Sequence, residues 1–217
     1  MTNPTDANSL ITLAASLAPN LPQQAAERLL KYLDAMLVIN EQINLTAIRD
    51  REQAIVLHAL DGLAFALTGI TPHHALDLGT GNGFPGAALA ALHPKASVTL
   101  MDRTGKKIRA IGGCLVQAGM KNADAVQLDA AQAPALHREL RHAFDLVTAR
   151  AVGKPELVAE LAAPLTRPGG HLVLWLDADA ECPQVLGPFR RQAMLRYDLP
   201  EPAARERVLA VYGRGRG

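Results

Sequence analysis

Apolar and polar positions alternate with a helical period over the first 70 residues of the chain. Within 23–40, and again within 51–67, apolar residues recur every three or four positions, as they do along one face of an amphipathic helix. A polar turn at 44–49 separates the two stretches. The pattern predicts a helical N-terminal segment over 1–70 that packs on the rest of the chain.

From residue 71 onward, short apolar runs alternate with helical stretches. The runs predict seven β-strands, at 75–78, 98–101, 125–128, 144–148, 171–175, 193–197 and 208–212. Helices are predicted between the first five strands, at about 86–92, 105–118, 132–140 and 154–163. Such alternation is typical of a parallel sheet covered on both faces. We therefore expect an α/β fold over 71–217, with a seven-stranded, mostly parallel sheet that ends in an antiparallel hairpin.

The turn after the first strand, residues 77–86 with the sequence DLGTGNGFPG, is the most specific motif. Glycines such as Gly79 and Gly81 let a ligand approach the backbone, and a helix that begins at about Pro85 presents its N-terminus to an anion. Asp77 is placed to accept hydrogen bonds from an ammonium group. S-adenosylmethionine carries both an ammonium group and a carboxylate, so the turn predicts this cofactor.

The same glycines also permit a dinucleotide fingerprint. Gly81, Gly83 and Gly86 fit Gly-x-Gly-x-x-Gly, although that spacing alone is weak evidence. The first glycine of a fingerprint closes the strand, and counting from Gly79 puts Phe84 where the third glycine belongs. A dehydrogenase is therefore the last of the functions that we consider.

Three further strand ends carry candidate cofactor contacts. Asp102 ends the second strand, where an acid can hold two ribose hydroxyls or else cap the following helix. Ala130 and Ala131 follow the third strand, where small residues let backbone amides approach an adenine ring or simply fill a loop. Arg150 ends the fourth strand, where it can meet a cofactor carboxylate or a phosphate, or form a surface salt bridge.

The composition describes one folded unit with an appendage. The chain has 217 residues, of which 49% are hydrophobic and 20% charged, as in ordinary globular proteins. Its start does not resemble a signal peptide, and Cys114 and Cys182 match neither a metal site nor a disulfide framework. We expect a cytoplasmic monomer without a metal ion or a membrane partner.

Positive charge is concentrated in the second part of the chain. The net charge is +1 overall, and it divides into −3 over 1–75 and +4 over 76–217. Arg103, Lys106, Lys107 and Arg109 crowd around the start of one predicted helix, where they indicate either an RNA phosphate contact or a solvated helix start. If they are only solvated, the alternative RNA surface is formed by Arg190, Arg191 and Arg196.

The end of the fourth strand limits the chemistry. It lacks the Asp/Asn-Pro-Pro-aromatic run that accepts amine hydrogen bonds in amino-group methylation, and no proline-cysteine pair supplies a nucleophile. What remains is transfer to an atom with a free lone pair, such as guanine N7. That attack needs positioning and no general base, so we predict no catalytic side chain.

Five ordered motifs together resemble the bacterial RsmG (GidB) family. They are NLTAIRD at 44–50, HALD at 58–61, DLGTGNGFPG at 77–86, MDRTGKKIR at 101–109 and TARA at 148–151. The resemblance implies a class I (Rossmann-like) methyltransferase that moves a methyl group from S-adenosylmethionine to N7 of one guanine in 16S ribosomal RNA, in the cytoplasm. Its substrate is the free RNA or the small ribosomal subunit.

The resemblance also implies site residues. The family's cofactor contacts fall on Gly79, Phe84, Ala130, Ala131 and Arg150. One departure concerns the RNA: the family closes its fifth strand with lysine and glycine, whereas this chain has Trp175-Leu176-Asp177, which removes a positive charge from the cleft.

Two other functions stay open at this point. One is a small-molecule methyltransferase of the same fold, and the other is a module that binds an adenosine cofactor or RNA without catalysis. We predict the RNA guanine-N7 methyltransferase, because five ordered motifs are far more specific than one glycine turn.

Overall fold

A computed structural model describes residues 6–216 of the chain. Residues 1–5 of the predicted N-terminal segment, and Gly217 at the end of the predicted α/β unit, lie outside the described residues. The strands are β1 (His74–Leu78), β2 (Ser97–Asp102), β3 (Ala123–Gln127), β4 (Phe144–Arg150), β5 (Thr166–Asp177), β6 (Val185–Leu186), β7 (Phe189–Leu199) and β8 (Arg205–Arg214).

These strands form one sheet in the order β3-β2-β1-β4-β5-β8-β7-β6. Pairing is parallel from β3 to β5 and antiparallel from β5 to β6. The predicted parallel sheet with a closing hairpin is confirmed. The predicted count of seven strands is wrong by one, because β6 has only two residues and is too short to show an alternating pattern.

The helices agree with the prediction where the apolar pattern is long. They are α1 (Ala7–Leu13), α2 (Gln23–Ile43), α3 (Arg51–Ala54), α4 (Asp61–Leu63), α5 (Gly86–Leu92), α6 (Gly105–Gln117), α7 (Ala133–Leu136) and α8 (Pro155–Ala162). Pro85 precedes α5 and is not its first residue. The predicted helix at 132–140 is α7 followed by a short 3₁₀ turn.

Residues 51–68 form a composite helix and not the one regular helix that the pattern predicts. After α3 the chain continues as a π-helix, Ile55–Leu60, then as α4, and finally as a 3₁₀ helix, Ala64–Thr68. Short π-helical stretches occur frequently at functional sites. This one contains His58 and is followed at once by Asp61, and both of these polar side chains are buried.

Alternate strand residues enter two hydrophobic cores on opposite faces of the sheet. On β5, Val173 and Trp175 enter the core that contains α1, α2, α5 and α6, whereas Leu172 and Leu174 enter the core that contains α8. This two-residue period is the signature of a strand buried on both sides. The N-terminal helices share the first core with the sheet, so they are continuous with its packing.

The carboxyl edge of the parallel strands collects the predicted site residues. β2 ends at Asp102, β4 at Arg150 and β5 at Asp177. Because β8 runs antiparallel to β5, its first residues reach the same edge, where Arg207 pairs with Asp177. Ligands of open α/β sheets bind outside this edge.

Candidate cofactor and substrate site

Two adjoining cavities open at the carboxyl edge of the sheet. The first has a volume of about 500 Å³, and its lining includes Gly79, Gly81, Phe84, Asp102 and Arg150. The second has about 390 Å³, and its lining includes Ala130 and Arg103. Gly79 and Asp102 line both cavities, so one elongated ligand can contact them while it extends to either side.

Asp77 holds the glycine turn together from inside. Its Oδ2 accepts hydrogen bonds from the Thr80 hydroxyl at 2.6 Å and the Gly86 amide at 3.0 Å, and its Oδ1 accepts one from Thr148 at 2.9 Å. Burial raises the pKa of Asp77, and these hydrogen bonds offset part of the rise. The fully buried carboxylate lines neither cavity, so its observed partners all belong to the protein. Its contact with the ammonium group of a cofactor stays a prediction.

Two of the glycines are required by the geometry of the turn. Gly79 has a φ of +67°, and a Cβ placed on it would lie 2.8 Å from Cγ2 of Val152. Gly83 has a φ of +90°, and a Cβ there would overlap the hydroxyl of Tyr32, which donates to the Asn82 carbonyl at 3.0 Å. Helix α2 of the N-terminal segment therefore presses directly on the turn through Tyr32.

Asp102 links the turn to the end of β2. Its Oδ2 accepts a hydrogen bond from the Gly81 amide at 3.1 Å, and its Oδ1 accepts one from the Thr104 amide at 2.8 Å. Thr104 itself occupies the N-cap position of α6, so Asp102 is not the cap of that helix. A carboxylate has about four acceptor sites, and the partly buried Asp102 keeps capacity for ligand hydroxyls.

Ala130 and Ala131, in the loop after β3, have different environments although the sequence analysis predicts the same role for both. Ala130 lines the second cavity. The amide of Ala131, in contrast, donates to Oδ1 of Asp129 at 2.9 Å, and Ala131 lines neither cavity. The Ala131 amide thus has a partner within its own loop, and its approach to an adenine ring stays a prediction.

Arg150 forms a buried ion pair and not the surface salt bridge of the alternative interpretation. Its Nη1 lies 2.9 Å from Oδ2 of Asp61, and the two side chains are only 13% and 3% exposed. The same nitrogen donates to the carbonyl of Leu57 at 2.9 Å, and Nη2 donates to Oδ1 of Asn82 at 3.3 Å. Arg150 is thus fixed in the wall of the first cavity by the composite helix and the glycine turn.

Asp61 joins the composite helix to four strands of the sheet. Besides Arg150 on β4, its carboxylate accepts a hydrogen bond from the Tyr197 hydroxyl on β7 at 2.5 Å and lies 3.5 Å from Nε of Arg207 on β8. Its backbone carbonyl accepts the indole N–H of Trp175 on β5 at 2.8 Å. The sequence analysis predicted no role for Asp61. The pattern that could have indicated one is the His-x-x-Asp pair, His58 and Asp61, inside an otherwise apolar helical stretch.

His58 is an uncharged, buried side chain that packs against Phe84. Burial and the nearby Arg150 charge lower its pKa to about 3, so the imidazole is uncharged at neutral pH. Its Nε2 lies 3.1 Å from the Thr46 hydroxyl and 3.2 Å from Nδ2 of Asn82, which suits an acceptor nitrogen. The ring stacks on Phe84 with a centroid distance of 5.7 Å, so these contacts position Phe84 in the cavity wall.

The predicted cationic patch lies beside both cavities. Lys107 lines the first cavity and Arg103 the second, whereas Lys106 and Arg109 are exposed on the outer surface. Within residues 6–216, none of the four has a carboxylate at ion-pair distance. Four cations without counter-charges around one helix start suit an anionic ligand that comes from outside.

The alternative arginine surface is largely engaged within the protein. The Arg191 guanidinium donates to the Cys182 carbonyl and to Oε1 of Gln184, and Arg196 pairs with Glu206 at 2.8 Å. Arg190 is exposed and, in the part of the chain that the structure describes, has no ion-pair partner. This surface offers fewer available charges than the patch on α6.

The described part of the chain contains neither a metal-ligand cluster nor a helix that could span a membrane. No group of three or more His, Cys, Asp or Glu side chains between residues 6 and 216 is arranged to hold a metal ion. Over the same span, no helix combines the length and the apolar character needed to cross a bilayer.

Known proteins with similar sequences carry a consistent name. A family model described as rRNA small subunit methyltransferase G (GidB) matches residues 25–181. The chain is 34% identical over 169 residues to the ribosomal RNA small subunit methyltransferase G of Roseiflexus castenholzii. The alignment covers 76% of this chain and 71% of that protein. The chain is 35% identical over 196 residues to the protein of the same name from Chromohalobacter salexigens, with 90% and 91% covered.

The fold is shared more widely than the sequence. A SAM dependent methyltransferase from Aquifex aeolicus has a TM-score of 0.55 and 15% sequence identity to this chain, over 74% of this chain and 91% of that one. The predicted Rossmann-like methyltransferase fold is confirmed. The extent and identity of the sequence matches show that the chain belongs to the RsmG/GidB family of ribosomal RNA small subunit methyltransferases.

Proposed function

We propose that this chain transfers the methyl group of S-adenosylmethionine to N7 of a guanine in 16S ribosomal RNA. The observation that carries the proposal is the pair of adjoining cavities at the carboxyl edge, with Gly79 and Asp102 between them, in a chain of the RsmG/GidB family. The proposed site of action is the cytoplasm, and the proposed acting species is a monomer.

The cavities suit the three chemical parts of S-adenosylmethionine. The second cavity has an apolar wall that includes Leu128 and Ala130, which fits an adenine ring. Asp102 lies where a carboxylate can accept the ribose hydroxyls. The first cavity contains Arg150 and Lys107, whose charges fit the carboxylate of the methionine part.

The reaction requires this chain to position the methyl donor and the guanine, and it requires no proton transfer from N7. When bound, the cofactor supplies an electrophilic methyl group on a sulfonium. The guanine N7 lone pair forms the new N–C bond as the C–S bond breaks, and the sulfur keeps the electron pair of the broken bond. Because N7 carries no proton at neutral pH, alignment and exclusion of water are sufficient, and alignment alone contributes roughly 7–11 kcal/mol.

The expected RNA target is an unpaired or extruded guanine. In an A-form helix N7 faces a deep, narrow groove that protein side chains do not enter, so the base must leave its stack to reach the cavity. The phosphates around it then need cationic partners. Arg103, Lys106, Lys107 and Arg109 are available beside the proposed cofactor site.

A charge reversal of the outer pair, Lys106→Glu with Arg109→Glu, should weaken RNA binding. Each lost phosphate contact reduces the slope of log affinity against log salt by about 0.7 for a single strand. S-adenosylmethionine affinity should stay unchanged, because both side chains lie on the outer surface. Fluorescence anisotropy over a salt series measures the slope; a slope equal to that of the unaltered chain would remove the patch from the RNA surface.

Removal of the Asp102 carboxylate should weaken cofactor binding. A hydrogen bond to a charged group contributes about 1.5–3 kcal/mol, so Asp102→Ala is expected to raise the dissociation constant of S-adenosylmethionine at least tenfold. Asp102→Asn, which keeps an acceptor oxygen for the Gly81 amide, separates ligand binding from support of the turn. Calorimetric titration decides: affinity within error of the unaltered chain in both variants would assign Asp102 to the turn alone.

Methyl transfer in vitro tests the proposed function. The purified chain is incubated with methyl-labelled S-adenosylmethionine and either 16S ribosomal RNA or small ribosomal subunits, and the RNA is digested to nucleosides. Label in 7-methylguanosine is the expected result. Label in another nucleoside, or none with either substrate while the cofactor binds, would contradict the proposal and favour the small-molecule or non-catalytic alternatives.

A further inference from the structure

The first cavity carries positive charge on two opposite sides. Lys107 comes from α6 on one side, and Arg205 and Arg207 come from β8 on the other. Arg207 is only 11% exposed, and its charge is compensated by Asp177 at 2.5 Å and Asp61 at 3.5 Å. With two carboxylates beside it, Arg207 has less charge available for a ligand than Arg150, which has one.

Arg205 is the accessible cation on the β8 side. Its side chain is 55% exposed, and its one ion-pair contact within residues 6–216 is to Oδ1 of Asp177 at 4.0 Å. The same oxygen lies 2.5 Å from Arg207, so its negative charge interacts more strongly with Arg207 than with Arg205. Arg205 thus brings weakly compensated positive charge to the end of β5, where this chain has Asp177.

The spacing of the two sides indicates the kind of ligand. Between β2, which leads into α6, and β8 there are four strand-to-strand intervals. At about 4.8 Å each, these intervals separate the two strands by roughly 19 Å. The backbones that carry the two cations are thus far apart, and an extended chain of successive phosphates can contact both sides.

We infer that Arg205 is a second phosphate contact for RNA, on the far side of the cavity from the α6 patch. The RNA strand that carries the target guanine crosses the cavity mouth, and cations hold its phosphates on both sides of the target. This inference rests on the proposed function, since it names how the same site holds its substrate.

The test compares two exposed cations at opposite edges of the sheet. Arg205→Glu removes the inferred contact. Lys95→Glu is the control, because Lys95 is exposed and lies just before β2, at the amino end of the parallel strands. Lys95 lines none of the cavities described above. Arg205→Gln removes the charge without reversing it.

We compare the RNA affinity of Arg205→Glu with that of the unaltered chain at two salt concentrations. The loss of affinity caused by the substitution should be about fivefold larger, or more, at 0.1 M salt than at 1 M salt. That factor corresponds to one phosphate contact at a single-strand slope of about 0.7. Arg205→Gln should give a similar loss, Lys95→Glu should give none, and S-adenosylmethionine affinity should be unchanged in all three variants. The loss should vanish when the RNA is shortened to end at the target guanine on one side, since the contacted phosphates are then absent.

Two outcomes overturn the inference. In one, Arg205→Glu and Arg205→Gln bind and methylate RNA as the Lys95→Glu control does, over the whole salt series. In the other, shortening the RNA on either side leaves the effect of Arg205→Glu intact. Failure of the proposed function looks different, because the unaltered chain would then fail to methylate ribosomal RNA.

Discussion

Gly79→Val is expected to abolish measurable binding of S-adenosylmethionine. Gly79 has a φ of +67°, lines both cavities, and has Cγ2 of Val152 only 2.8 Å from where a Cβ would stand. A β-branched side chain would both strain the backbone and occupy the space between the cavities. Calorimetric titration with S-adenosylmethionine, and with a nicotinamide dinucleotide for comparison, measures the loss.

Gly69→Val is the matched control for backbone strain. Gly69 has a φ of +66°, and nothing lies within 4 Å of a Cβ placed there. Both variants should lose stability from the left-handed conformation, at about 1–2 kcal/mol, but only Gly79→Val should lose the cofactor. If Gly79→Val folds and binds S-adenosylmethionine as Gly69→Val does, the backbone of the turn is not the binding surface.

Asp61→Asn is expected to destabilise the fold strongly. The substitution keeps the size of the side chain but leaves the guanidinium groups of Arg150 and Arg207 without their buried counter-charge. Breaking a buried pair from one side typically costs about 3–5 kcal/mol. Urea unfolding, followed by circular dichroism, measures the free energy of unfolding.

An exposed ion pair of the same type provides the comparison. Asp34 pairs with Arg51 at 2.6 Å, and the side chains are 48% and 33% exposed. Asp34→Asn should cost no more than about 1 kcal/mol. Equal losses in the two variants would contradict the view that Asp61 is the buried node between the composite helix and the sheet.

The sheet could be predicted because its strands are buried on both faces. Runs such as 98–101 and 171–175 stand out against their polar flanks, and the turn at 77–86 identifies the functional edge. The shortest strand was not predicted: β6 has only two residues, fewer than a period needs to become visible. Helix α1, Ala7–Leu13, was not predicted as a separate element either. The π-helix at 55–60 was missed because its apolar spacing is close to that of an α-helix.

The sequence could predict which residues lie at the candidate site, but it could not predict which side chains they contact. Gly79, Phe84, Asp102 and Arg150 line the first cavity because strand ends converge on one edge, which topology alone dictates. The partner of Arg150 lies 89 positions away in the sequence, and no local pattern encodes such a contact. Asp77 shows the same limit, because an acid beside a glycine turn suits a ligand as well as it suits the turn itself.

Nucleoside analysis of 16S ribosomal RNA from cells with and without the gene tests methylation of guanine N7. One 7-methylguanosine per RNA should disappear with the gene and return when the unaltered chain is supplied, but not when Gly79→Val is supplied. An unchanged 7-methylguanosine content in the RNA of cells that lack the gene would mean that this chain does not make the modification.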